Sequence, residues 1–209
     1  MTRAVFLDAL GTLIELEPPW LSLRTAVPDR ITDEQLVAAV RAEMAYYREH
    51  AHEGRDPESL ADLRERCAEL ISSELGAPIS AAQLVGAVRF DPYPDAEPAL
   101  RELRGRELKL VVVSNWDISL STVLERCGIA SLLDGAISSA EAGSRKPDPG
   151  IFARALEMAA CDPGEALHVG DTAEEDREGA RAAGIRALLL DRERGGGDIA
   201  SLNEIVQHL

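Results

Sequence analysis

The 209-residue chain predicts an α/β fold: a doubly wound parallel sheet with a small inserted helical segment. Three observations lead there. Unbroken apolar runs, Ala4-Val5-Phe6-Leu7 and Leu110-Val111-Val112-Val113, are the pattern of strands covered on both faces. From Asp91 onward, strand and helix signals alternate, which calls for parallel strands joined by right-handed crossovers. Between Thr32 and Val88, by contrast, helix starts follow one another with no strand signal between them.

The first strand ends in Asp8, at the sheet edge where open α/β folds bind ligands. Gly11 lets the chain turn tightly just beyond it. From Ile14 the sequence changes character and leaves the core through Glu17-Pro18-Pro19, a stiff, non-helical exit. Thr32-Asp33-Glu34-Gln35 is a capping box ahead of Leu36, Val40, Met44 and Tyr47 at helical spacing. Asp56-Pro57 pairs an N-cap with proline at the first helical position, before the stripe Leu60, Leu63, Cys67, Leu70 and Ile71. Ser80-Ala81-Ala82-Gln83 repeats the capping box. Asp91-Pro92-Tyr93-Pro94 leads back to the core. There the patterns predict a helix over 95–104, a strand ending at Ser114, and a helix over 118–127. A short strand over 135–138, a helix over 149–159 and a strand ending at Gly170 come next. A helix to 183, a strand over 186–190 and a last helix from 198 complete the chain. The expected division is a core of 1–14 and 92–209, with 15–91 as the helical insertion. Gly195-Gly196-Gly197 lacks the strand-to-helix setting of a phosphate loop and reads as a surface connection.

Net charge is −15 and the sequence pI about 4.7, so the long-range field repels nucleic acid and anionic membrane surfaces. Among 22 basic residues the lysines are Lys109 and Lys146 alone. Cys67, Cys127 and Cys161 are odd in number and widely spaced, as expected of reduced thiols in a cytoplasmic protein. The four histidines, His50, His52, His168 and His208, are too scattered for a zinc site. The N-terminus has no basic leader and its apolar run is broken by Asp8, so neither a signal peptide nor a membrane span is expected. A soluble cytoplasmic monomer or homodimer is the expectation.

Chemistry-bearing residues gather at predicted strand ends. Asp8 closes the first strand, and Ser114-Asn115 close the second apolar run. Arg145-Lys146-Pro147-Asp148-Pro149 places a cation just ahead of a helix start capped by Asp148. Ala166-Leu167-His168-Val169 runs into Gly170-Asp171, with Asp176 five residues further on. Each has a plainer reading. Asp8 would be a turn carboxylate, Ser114 a turn cap, and Lys146 an exposed loop cation. Asp171 and Asp176 would only complement a helix N-terminus, worth ~0.3–1 kcal/mol each. Asp117 reads as the N-cap of the helix from 118 and Trp116 as packing near the site. The joint occurrence at successive strand ends favours the functional reading.

A carboxylate, then Ser-Asn, then Lys, then Gly-Asp with a further Asp, in that order, resembles the four motifs of the haloacid-dehalogenase superfamily. The match is densest over 138–184, with AEAGSRKPDP and HVGDTAEEDREGARAAG. The resemblance implies a Rossmann-like core, and it places the helical insertion where that superfamily carries a C1 cap, a lid that selects substrate. It further implies Asp8 as the nucleophile that forms an aspartyl phosphate. Ser114 and the amide of Asn115 would bind phosphoryl oxygens, and Lys146 would supply a charge between nucleophile and phosphate. Mg²⁺ would be held by Asp8, the backbone carbonyl of Leu10 and Asp171, with Asp176 acting through water or by orienting the others.

Leu10 departs from the pattern. Phosphatases of the superfamily have a second Asp there, as a general acid and base worth ~10²–10⁴ in rate. The expected function is therefore a Mg²⁺-dependent phosphohydrolase acting on a small phosphorylated or acidic organic substrate, with weak or leaving-group-limited turnover. Two alternatives stand beside it. A 2-haloacid dehalogenase expels halide without an acid, although its superfamily pattern lacks the Gly-Asp carboxylate kept here as Asp171. A non-catalytic module would bind a phosphate ligand or a partner without turnover.

Overall fold

The computed structural model describes residues 1–193 and 195–209. Strand β1 (Ala4–Leu7) leads into a short β2 (Ile14–Leu16). Helices α1 (Pro19–Leu23), α2 (Asp33–His50), α3 (Pro57–Leu75) and α4 (Ala81–Ala87) follow, then β3 (Phe90–Pro92). The remainder alternates as α5 (Ala96–Gly105), β4 (Lys109–Ser114), α6 (Leu120–Arg126), β5 (Gly135–Ser138), α7 (Ser139–Ala142), α8 (Pro149–Ala159), β6 (Ala166–Gly170), α9 (Gly179–Ala182) and β7 (Arg186–Leu189). The five longer-range strands form one parallel sheet in the order β5-β4-β1-β6-β7. The chain is thus α/β and doubly wound.

Alternation within the buried strands divides the core into two layers, since successive side chains point to opposite faces. Val5 and Leu7, with Leu110, Val112, Leu167 and Val169, pack against α5 and α6. Ala4 and Phe6, with Val111 and Val113, pack against α8 through Ile151 and Phe152. Phe6 and Phe152 are wholly buried, so truncating either to alanine is expected to cost roughly 3–5 kcal/mol. The helices between β2 and β3 build an apolar cluster of their own around Leu36, Val40, Leu63 and Ile71. Their N-termini are closed as the sequence predicts. Thr32 Oγ1 accepts from Gln35 N while Gln35 accepts from Thr32 N, and Ser80 with Gln83 repeats the arrangement.

Several elements depart from the sequence expectation. β2 and β3 pair antiparallel, Leu16 opposite Phe90, at the two crossings between core and helical segment; three-residue strands carry too little periodicity to be read. The helix expected from 118 begins at Leu120. The one expected to end at 183 starts as a π-helical turn over Ala173–Glu178 before becoming α9. The last helix, expected from 198, is a 3₁₀ helix over Leu202–His208. Among the described residues, no helix is long and apolar enough to cross a membrane.

Candidate active site

The register of the sheet assembles the site. Leu7 stands opposite Val112 on one side and Val169 on the other, so Asp8, Ser114 and the Gly170-Asp171 pair emerge together at the C-terminal edge. Asp8 is 6% exposed. Its Oδ1 accepts hydrogen bonds from Ser114 Oγ at 3.0 Å and from Lys146 Nζ at 2.5 Å. Among the described residues, Oδ2 accepts none.

Lys146 lies in the loop before α8, yet it is 1% exposed. Asn115 holds it there: the side-chain amide donates to Lys146 O at 3.0 Å, and its oxygen accepts from Lys146 N at 2.8 Å. The expected role of that amide was to bind phosphoryl oxygens. In the structure the amide oxygen and one N–H of its NH2 group engage the lysine main chain. Lys146 Nζ then spans Asp8 and Asp176, the latter also at 2.5 Å.

Asp176 reaches back under β6 because the π-helical turn carries it there. Its Oδ2 accepts from Thr172 N at 3.0 Å, and its Oδ1 is shared by Lys146 and His168 Nε2, the latter at 2.9 Å. A side chain on Gly170 would collide with this carboxylate, which is why glycine precedes Asp171. A side chain on Gly11, at φ +88°, would likewise run into the Asp171 carboxylate. The close approach of two loops at the strand tips therefore needs both glycines.

Burial pushes the Asp8 carboxyl up to about 7, against the Lys146 ammonium and with help from Asp176 and Asp171. Burial also works to raise Asp176, but Lys146 and His168 outweigh it and hold that carboxyl below its ordinary range. For Lys146 burial works downward, and Asp176 and Asp8 more than reverse it, so the ammonium stays charged. Burial lowers His168. Its neutral ring must donate through Nε2, because the carboxylate can only accept, and Nδ1 is left without a partner. His168 packs edge-on to Phe152. It is the residue sequence reasoning passed over as a strand interior, and its one signal is a polar ring within an otherwise apolar run.

Asp171 is exposed toward the cavity, and its carboxyl is raised by partial burial and by Asp176. Asp8, Asp171 and Asp176 each offer an oxygen within 4.8 Å of the others. An all-oxygen donor set of this kind fits a hard divalent cation and not zinc. Leu10 stands at the edge of the same cavity and packs partly against the core. Trp116 is 5% exposed and lines the cavity as well. Asp117, expected as a helix N-cap, is 3% exposed and accepts from Ser119 N at 2.6 Å and from Tyr47 OH of α2 at 2.9 Å. It ties the core loop to the helical segment, a contact between residues 70 apart that local sequence does not reveal.

A half-liganded carboxylate beside a fixed ammonium, with two further carboxylates around it, is equipped for nucleophilic displacement at a strand tip. The chain belongs to the haloacid dehalogenase-like hydrolase family, whose model matches residues 2–184. It is 44% identical over 95 residues to the bovine haloacid dehalogenase-like hydrolase domain-containing protein 3, an alignment covering 46% of this chain and 38% of the relative. It is 39% identical over 123 residues to phosphoserine phosphatase of Thermus thermophilus, covering 56% and 49%. The chain thus spans less than half the length of each of these curated relatives. L-2-haloacid dehalogenase of Xanthobacter autotrophicus shares the fold, with a TM-score of 0.76 over 99% of this chain and 98% of that one at 23% identity.

Proposed function

We propose that the protein is a Mg²⁺-dependent phosphohydrolase working through an aspartyl phosphate on Asp8, and that Leu10 restricts it to substrates whose leaving group needs little protonation. The observation that carries this reading is Lys146, buried between Asp8 and Asp176 with Asp171 beside them. Asp8 Oδ1 is occupied by Ser114 and Lys146, which leaves Oδ2 to attack phosphorus. Asp176 and Asn115 fix the lysine so that its charge faces the incoming anion. Asp171, Asp8 and the main-chain carbonyl of Leu10 are the residues that would hold Mg²⁺, with Asp176 at one remove. When bound, the ion offsets the repulsion between a carboxylate nucleophile and an anionic substrate.

Residues 15–91 act in this reading as the cap that closes over the site and selects substrate. The phosphatase relative from Thermus supports phosphate over halide as the leaving chemistry. Leu10 keeps a carbonyl but has no acid to protonate an alkoxide, so aryl and acyl phosphates are the favoured class. Phosphate release from an aryl phosphate, measured with Mg²⁺ and with EDTA for wild type, Asp8→Asn and Asp171→Ala, tests the assignment. Activity should require the ion and both carboxylates. Halide release from a 2-haloacid that persists in EDTA would point to the dehalogenase instead.

A further inference from the structure

The cavity that opens at Asp8 has a volume of about 720 Å³ and is walled on the helical side by Trp20, Met44, Tyr47 and Leu84. That size suits a small organic ligand. One group in this wall has no evident purpose within the fold. Glu43 of α2 is 8% exposed and lines the cavity. Its carboxyl meets the Cys67 thiol of α3, a weak donor, and among the described residues no Lys, Arg or His stands within ion-pair distance of it. Burial therefore raises its carboxyl, since a buried charge is costly without a counter-charge.

A second acid lies near Glu43. One helical turn on, Tyr47 OH donates to Asp117, which is itself buried. Burial and then the Asp117 charge hold the Tyr47 hydroxyl well above its ordinary range. Burial, then Glu43 and Asp117, do the same to the Cys67 thiol. Arg66 is one nearby cation, and it is engaged with Glu53 and Asp62. Arg48, Arg64, Arg126 and Arg145 also reach the cavity, none of them paired with Glu43 or Asp117. This wall sets apolar side chains beside a buried acid that, among the described residues, no cation pairs.

We infer that Glu43 is a specificity-determining residue, and that the substrate's leaving group is an apolar, ring-sized unit carrying a cationic nitrogen that pairs with it. The inference rests on the reading of Asp8 as the phosphoryl acceptor, because that places the leaving group in this cavity. An ammonium supplies both what Glu43 lacks: a strong donor and a counter-charge. A hydroxyl supplies only the first. The rings of Tyr47 and Trp116 and the side chains of Met44 and Leu84 take the hydrocarbon part.

The test compares tyramine, tyrosol and para-ethylphenol, which share a ring and chain length but end in an ammonium, a hydroxyl and a methyl group. Calorimetry with wild type and Glu43→Gln measures their binding as free phenols, independent of any turnover. Tyramine should bind wild type about tenfold or more tighter than the other two, and Glu43→Gln should erase the preference. Equal binding of tyrosol and tyramine, a preference that survives in Glu43→Gln, or no binding of any of the three overturns the inference. The wild-type ranking stands even if the variant does not fold. The phosphate esters of the same three compounds form a second arm: failure to cleave any of them, with the tyramine ranking intact, contradicts the phosphohydrolase reading and not the role of Glu43.

Discussion

Lys146 Nζ lies 2.5 Å from Asp176 Oδ1, and both side chains are 1% exposed. A pair buried this deeply is weak evidence for stability as a whole, but removing one partner strands the other. Lys146→Ala would leave Asp8 and Asp176 facing each other without a cation. It is expected to cost roughly 3–5 kcal/mol in urea unfolding at neutral pH. A loss under about 1 kcal/mol would mean that Lys146 is not held between the carboxylates.

Gly11 and Asp171 make a second prediction. At φ +88°, and with the Asp171 carboxylate where a Cβ would sit, Gly11→Ala must strain the turn and displace the carboxylate. A stability loss of about 1–2 kcal/mol is expected from the backbone alone, together with weakened Mg²⁺ binding by calorimetry. Wild-type affinity for Mg²⁺ in this variant would show that Asp171 is free to move or takes no part.

How much of this was legible in the sequence depends on the range of the interaction. Four-residue apolar runs ending in Asp8, Ser114 and Gly170 reveal the parallel sheet and its ligand edge, because burial on both faces leaves a local mark. The capping boxes at Thr32 and Ser80 are local too. Lys146 is legible only through the joint pattern: taken alone, a lone lysine beside proline reads as an exposed loop cation, and its burial rests on the amide of Asn115, 31 residues away, and on Asp8 and Asp176. Asp176 needs the π-helical turn, which no spacing rule announces. The Tyr47–Asp117 bond and the lack of a counter-charge at Glu43 are properties of tertiary packing, so helical periodicity shows the first as a stripe residue and the second not at all.

Asp8 also has a pH signature. Its carboxyl is raised to about 7, by burial first, whereas an unfolded Asp titrates near ~4. Between those values the folded protein keeps a proton that the unfolded chain has released, so this residue disfavours the folded state progressively as pH rises. In EDTA, the stability of wild type relative to Asp8→Asn should therefore fall by at least about 1 kcal/mol between roughly pH 4 and 7, then level off. A difference that is constant across that window, or that grows with pH, would contradict the raised carboxyl.

The central claim is that the site is complete except for an acid at Leu10. It is tested most directly by kcat/KM for an aryl and an alkyl phosphate in wild type and Leu10→Asp, with Asp8→Asn as the zero. Wild type should cleave the aryl ester far faster. The substitution should raise alkyl ester hydrolysis by about 10²-fold or more and the aryl ester much less, because only the alkoxide depends on proton donation in the transition state. If Leu10→Asp folds, binds Mg²⁺ and gains nothing on the alkyl ester, more than an acid is missing, and a module that binds phosphate without turnover becomes the better account.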